Sequence, residues 1–154
     1  MTQTPIPSLS ETLWWAIPNR LGGMRKPAEH EIPGLKAAGI GAIVSVMDDP
    51  ANLDAYAQAG LPYLWLPITG GTAPSVDQVE RFQEFVTAQF AAGHRVVVHC
   101  SSGRRRTGTL LAAYLIRTGH TAEAAIATIQ HANPEVELRE TQVQFLQQLE
   151  GMRV

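Results

Sequence analysis

Cys100 is followed within a few residues by Arg104, Arg105 and Arg106, so a nucleophile and a cluster of fixed cations share one short stretch. A thiol attacks as its thiolate, and a positive field lowers its pKa. A guanidinium fork holds two oxygens of a phosphoryl or sulfuryl group at once. A nucleophile facing a bound phosphorus atom implies covalent phosphoryl transfer. The alternative for a lone cysteine is a small buried hydrophobe, but burial alone does not account for the cation-rich turn that follows.

The flanking residues say how that stretch is positioned. Val96-Val97-Val98 reads as a buried strand, and Leu110-Leu111-Ala112-Ala113-Tyr114-Leu115-Ile116 as a helix covered on nearly every side. The loop between them lies at the carboxyl end of a strand, where open α/β sheets bind ligands, and at a helix N-terminus, which attracts anions. Ser101, Ser102, Gly103, Arg104 and Arg105 would supply converging backbone amides, with Gly103 permitting the turn, and Arg106 the fork. The Arg104 and Arg105 side chains keep two readings, a basic floor for substrates with extra phosphates and ordinary solvated charge.

The remaining elements alternate. Leu13–Ile17 and Leu21–Met24 read as short strands around a turn at Pro18-Asn19, placed at an edge. Arg25 and Lys26 follow, either near the rim of the anion site or as surface charge. Pro33–Ala38 reads as a helix stopped by Gly39, Gly41–Met47 as a buried strand, residues 51–59 as a helix and Leu61–Leu66 as another strand. Ser75 and Gln78 form a capping box ahead of Val79, Phe82, Val86 and Phe90 at helical spacing. Helices over Thr121–Ala132 and Arg139–Leu149 close the chain. The expectation is one α/β domain over residues 13–154, with a largely parallel central sheet of about five strands flanked by helices, after a loosely ordered tail over residues 1–12.

The chain of 154 residues is 45% hydrophobic and 17% charged with a net charge of −2, which gives no reason to expect nucleic-acid binding. No apolar run reaches the roughly 20 residues of a membrane helix, and the first ten residues lack a signal-peptide pattern. A cytoplasmic monomer without an integral membrane segment is expected. The single cysteine excludes an internal disulfide, a multi-cysteine zinc site and an internal resolving thiol. Neither a metal nor a cofactor is expected.

The run His99-Cys100-x-x-Gly103-x-x-Arg106-Thr107-Gly108 resembles the signature of cysteine-dependent protein tyrosine phosphatases, particularly the small dual-specificity branch. The likeness extends from about Leu13 to Leu149 and takes in Trp14, Leu66-Pro67-Ile68, Pro74-Ser75 and Thr141-Gln142. It implies a phosphatase-like fold and hydrolysis of phosphorylated proteins or other phosphomonoesters through a phosphocysteine on Cys100. By the same resemblance His99 supports the loop from behind, Thr107 helps the cysteine leave, and Gln142 positions the attacking water. For Thr107 and Gln142 the plainer alternatives are a helix-start hydroxyl and a surface glutamine.

One departure stands out. The family draws its general acid from an Asp in the loop before the capped helix, and alignment through Pro74 puts Gly70 there. Asp48 or Asp49, at the end of a neighbouring parallel strand, offers a replacement on the same face of the sheet; alternatively both simply start the turn at Pro50. Asp77 is poorer placed, since it already serves a helix dipole. Without an acid, phenolic leaving groups are favoured. The competing functions are an inositol phosphate or phosphoinositide phosphatase and a phosphate-binding module with little turnover.

Overall fold

The computed structural model describes residues 9–152. A helical turn, α1 (Leu9–Thr12), precedes two strands, β1 (Trp14–Ile17) and β2 (Leu21–Met24). Then come a 3-10 turn (Glu29–Glu31), α2 (Ile32–Ala37), β3 (Ile40–Ser45), α3 (Leu53–Gln58) and β4 (Tyr63–Trp65). The chain continues through α4 (Val76–Ala91), β5 (Arg95–His99), α5 (Arg105–Arg117), α6 (Ala122–Ala132) and α7 (Glu140–Gly151).

The strands form one sheet in the order β1-β2-β5-β3-β4. Only β1 and β2 pair antiparallel; β2, β5, β3 and β4 are parallel to their neighbours. The valine run therefore occupies the middle strand. Strand alternation sends Val96 and Val98 into a core with α4, α5, α6 and α7, and Val97 into a second core with Ile32, Leu35 and Tyr56. All three valines are fully buried, as a strand covered on both faces requires.

Local signals act where the sequence places them. Ser75 Oγ accepts from Gln78 N while Gln78 Oε1 accepts from Ser75 N, and Val79, Phe82 and Val86 of α4 are buried. Gly39 takes φ +88° after α2. Thr121 Oγ1 accepts from Ala124 N at the start of α6.

Two expectations change. Residues 9–12, assigned to the tail, form α1, which Thr12 ties down by its hydroxyl to Leu9 O and Arg25 N; residues 1–8 of that tail lie outside the described residues. Of the two strands placed at an edge, only β1 is there. β2 pairs with β5 from Leu21–Val96 to Met24–His99, so its end runs alongside the reactive loop. Among the described residues no helix is long and apolar enough to cross a membrane.

Candidate active site

β5 delivers His99 and Cys100 to the carboxyl edge of the sheet, and the chain then turns into α5. Gly103 makes that turn at φ +77°. A Cβ there would sit 2.4 Å from both C and O of Met24 and 2.7 Å from Arg25 N, which is backbone that cannot step aside. The loop is pinned to β1 and β2 from outside. Trp14 Nε1 donates to Gly103 O at 3.0 Å, and Lys26 N to Ser101 O at 3.2 Å. Gly23 lets α5 lie close, because a Cβ on it would meet Thr107 Cγ2 at 2.7 Å.

Cys100 is 2% exposed, and its sulfur receives the Thr107 hydroxyl at 3.1 Å and Gly103 N at 3.3 Å. Burial pushes the thiol pKa up. The Thr107 hydroxyl and the backbone N–H groups of Thr107, Gly103 and Arg104 push it down and prevail, so the thiol lies below its ordinary value. Donors that converge on one sulfur favour its anion.

His99, fully buried, stands behind the loop. Its Nδ1 lies 3.3 Å from Cys100 O and its Nε2 2.7 Å from Tyr56 Oη. Burial, opposed by the Cys100 carbonyl and reinforced by Lys26 and Arg106, lowers its pKa to about 4, so the ring is neutral at pH 7. The neutral ring lies against the Cys100 carbonyl behind the loop.

Arg106 is half-buried and donates through Nη1 to Ile68 O at 2.9 Å, which braces one edge of its guanidinium. Arg104 and Arg105 turn elsewhere. Arg104 pairs with Glu135 at 2.7 Å, both side chains at least half exposed, and Arg105 Nε donates to Glu137 O at 3.1 Å. Their side chains thus engage the segment between α6 and α7, while the Arg104 amide stays with the sulfur. Ser101 and Ser102 are exposed at the loop surface. Arg25, one candidate for the rim, makes two 2.9 Å bonds to Glu31; Lys26 is the nearer cation, felt by His99.

Gln142 is fully buried rather than on the surface. Its Oε1 accepts from Arg139 N and its Nε2 donates to Thr72 O, so it fastens the start of α7 to the loop before α4. Gln78 Nε2 holds the same loop at Pro67 O. Gly70 sits in that loop with open space around it: a Cβ there would meet nothing within 4 Å.

Asp48 and Asp49 are exposed just beyond β3, whose Ser45 pairs with His99. Asp49 Oδ1 accepts from Ala51 N at 2.9 Å, the turn-starting role. Asp48 has no such partner among the described residues. Trp65 Nε1 fixes the root of this turn through Met47 O at 2.8 Å. Asp77 is exposed in the first turn of α4.

A family model described as "Polymorphic toxin system, DSP-PTPase phosphatase" matches residues 19–120, which include the whole loop from His99 to Gly108. The chain belongs to the DSP-PTPase phosphatases. The match ends before α6, so Gln142 lies outside it. Among curated relatives, tyrosine-protein phosphatase cdcA of Emericella nidulans is 27% identical over 137 residues, covering 84% of this chain and 23% of the relative. Phosphatidylglycerophosphate phosphatase PTPMT2 of Arabidopsis thaliana is 25% identical over 152 residues, covering 94% of this chain and 66% of the relative. The crystal structure of Tk-PTP in the active form superposes with a TM-score of 0.85 at 27% identity, covering 92% of this chain and 98% of that one. This DSP-PTPase chain thus spans about a quarter of the length of its Emericella relative but nearly the whole of the Tk-PTP fold.

Sequence reasoning missed Tyr56, Asn52 and the anchoring role of Trp14. Tyr56 lies 43 residues from His99, and nothing in its local pattern separates it from an ordinary core aromatic.

Proposed function

We propose that this chain hydrolyses phosphomonoesters, aryl phosphates such as phosphotyrosine foremost, through a phosphocysteine intermediate on Cys100 and without a metal. The observation that carries this reading is the Cys100 sulfur receiving Thr107 Oγ1 and Gly103 N while its pKa falls despite burial. The thiolate attacks phosphorus, the phosphorus–oxygen bond breaks, and the leaving oxygen takes a proton or departs as phenolate. Water then attacks the phosphocysteine, releasing phosphate and returning the thiolate, to which the Thr107 hydroxyl donates. With Nη1 of Arg106 held by Ile68 O, the fork of Nε and Nη2 remains for two phosphoryl oxygens.

For the leaving-group proton we place Asp48 ahead of Asp49, whose carboxylate is engaged by Ala51 N. The tethering of Arg104 and Arg105 to Glu135 and Glu137 counts against a free basic floor for multiply phosphorylated substrates. A second reading, a phosphatidylglycerophosphate-type lipid substrate, is supported by the similarity to PTPMT2 over 94% of the chain. Cytoplasmic location and a monomeric state belong to the same proposal.

The test is turnover of p-nitrophenyl phosphate, a phosphotyrosine peptide and phosphatidylglycerophosphate with a chelator present, for the native chain and Cys100→Ser. Chelator-resistant turnover lost in the variant supports the thiolate mechanism, and the ratio among substrates selects the class. Phosphate binding without turnover on any of the three would leave a phosphate-binding module instead.

A further inference from the structure

A buried chain of polar side chains runs away from the reactive loop. Cys100 O can only accept, so the His99 nitrogen 3.3 Å from it, Nδ1, carries the ring proton. The ring is neutral, so Nε2 is bare and accepts from Tyr56 Oη at 2.7 Å. Tyr56 is itself fully buried, its pKa pushed up to about 12 by burial against the Asn52 hydrogen bond, and it keeps its proton to donate. Behind it, Asn52 Nδ2 lies 3.4 Å from Tyr56 Oη and donates to Pro27 O at 2.7 Å. Asn52 adopts φ +72°, a left-handed conformation that Asn tolerates better than most residues, immediately before α3. The donors from Asn52 to Tyr56, from Tyr56 to His99 and from His99 to the Cys100 carbonyl run in one direction, while Asn52 also anchors the series to Pro27 O.

We propose that Tyr56 and Asn52 are positioning residues that acidify the Cys100 thiol through His99. An N–H on the Cys100 carbonyl offsets the negative end of a dipole next to the sulfur and polarises the following amide, and both favour the thiolate. Donors in series strengthen one another. Asn52 also joins the connection after β2 to the turn after β3. The titratable groups facing His99 are Tyr56 from α3, Lys26 from the connection after β2, Arg106 from α5 and Cys100 itself; Tyr63 from β4 faces Tyr56. The inference rests on the thiolate reading of Cys100, but its test does not depend on turnover.

Because Cys100 is the single cysteine, iodoacetamide alkylation reports its acidity directly. Tyr56→Phe removes only the hydroxyl; Asn52→Gly removes the amide while keeping a residue suited to positive φ. The midpoint of the alkylation rate against pH is expected to rise by about half to one unit in Tyr56→Phe and by less in Asn52→Gly, with circular dichroism unchanged. Midpoints equal to that of the native chain in both folded variants would overturn the proposal. If Tyr56→Phe fails to fold, Asn52→Gly decides alone: a raised midpoint supports the proposal and an unmoved one overturns it. A native chain that alkylates at low pH yet hydrolyses none of the three phosphates would sink the functional reading and leave this one intact.

Discussion

Thr107 Oγ1 donates to Cys100 Sγ at 3.1 Å from the first turn of α5, with both residues buried. In the proposed reaction the same hydroxyl would serve two moments, stabilising the thiolate as it attacks and again as it leaves phosphorus. Thr107→Val keeps the methyl group that packs at Gly23 and removes only the donor. A hydrogen bond to a charged group contributes about 1.5–3 kcal/mol, which is roughly ten- to a hundredfold in rate. Rapid-quench kinetics on an aryl phosphate should show slower breakdown of the phosphocysteine by about that factor. An unchanged rate would remove Thr107 from the chemistry.

Gly103 is expected to tolerate no side chain. Gly103→Ala combines a left-handed residue, costing about 1–2 kcal/mol, with a Cβ 2.4 Å from Met24 backbone. Turnover should vanish and stability fall by at least about 2 kcal/mol in urea denaturation. Gly70→Ala, by contrast, has open space and should be nearly silent in both measurements.

Gly70 and Asp48 can be tested against each other. Asp48→Asn should lower turnover of alkyl phosphates more than of aryl phosphates. Gly70→Asp should restore alkyl phosphate turnover in that background, since a positioned acid contributes ~10²–10⁴-fold and the added side chain meets nothing. Identical alkyl-to-aryl ratios in the native chain and Asp48→Asn would remove Asp48 from the mechanism.

His99 makes the fold sensitive to acid. Its pKa is about 4 in the folded chain against about 6.5 when unfolded. As pH falls through 6.5 the unfolded chain takes up a proton that the folded chain refuses, so stability drops until both are protonated below about 4. The full loss is roughly 3 kcal/mol. Glu31, lowered to about 2 by Arg25, loses its contribution in a separate, lower window between about 4.5 and 2. Urea denaturation at pH 7, 5.5 and 4.5 should show the first decline, and His99→Gln should flatten it. A stability profile level from pH 7 to 4.5 would contradict a buried neutral His99.

What could be read from the sequence was what is local. The Cys100–Gly108 loop is contiguous, so strand, turn and helix start could be read from neighbouring residues. Ser75 and Gln78 announce α4 because a capping box needs only four residues. Gln142 and the arginines were harder. Whether Gln142 is buried depends on Thr72, which is 70 residues away, and whether Arg104 faces a ligand depends on Glu135 across the loop. Tyr56 and Asn52 were invisible for the same reason. The position of β2 beside β5 followed from pairing, which a short strand of Leu21-Gly22-Gly23-Met24 does not declare.

The most direct test of a Cys100 nucleophile is to quench the enzyme during turnover of an aryl phosphate in chelator and weigh the peptide carrying Cys100. The expected result is one phosphoryl group on Cys100, formed in a burst with the first equivalent of phenol and absent from Cys100→Ser. Steady phenol release with Cys100 never phosphorylated, or release that persists in Cys100→Ser, would contradict the account.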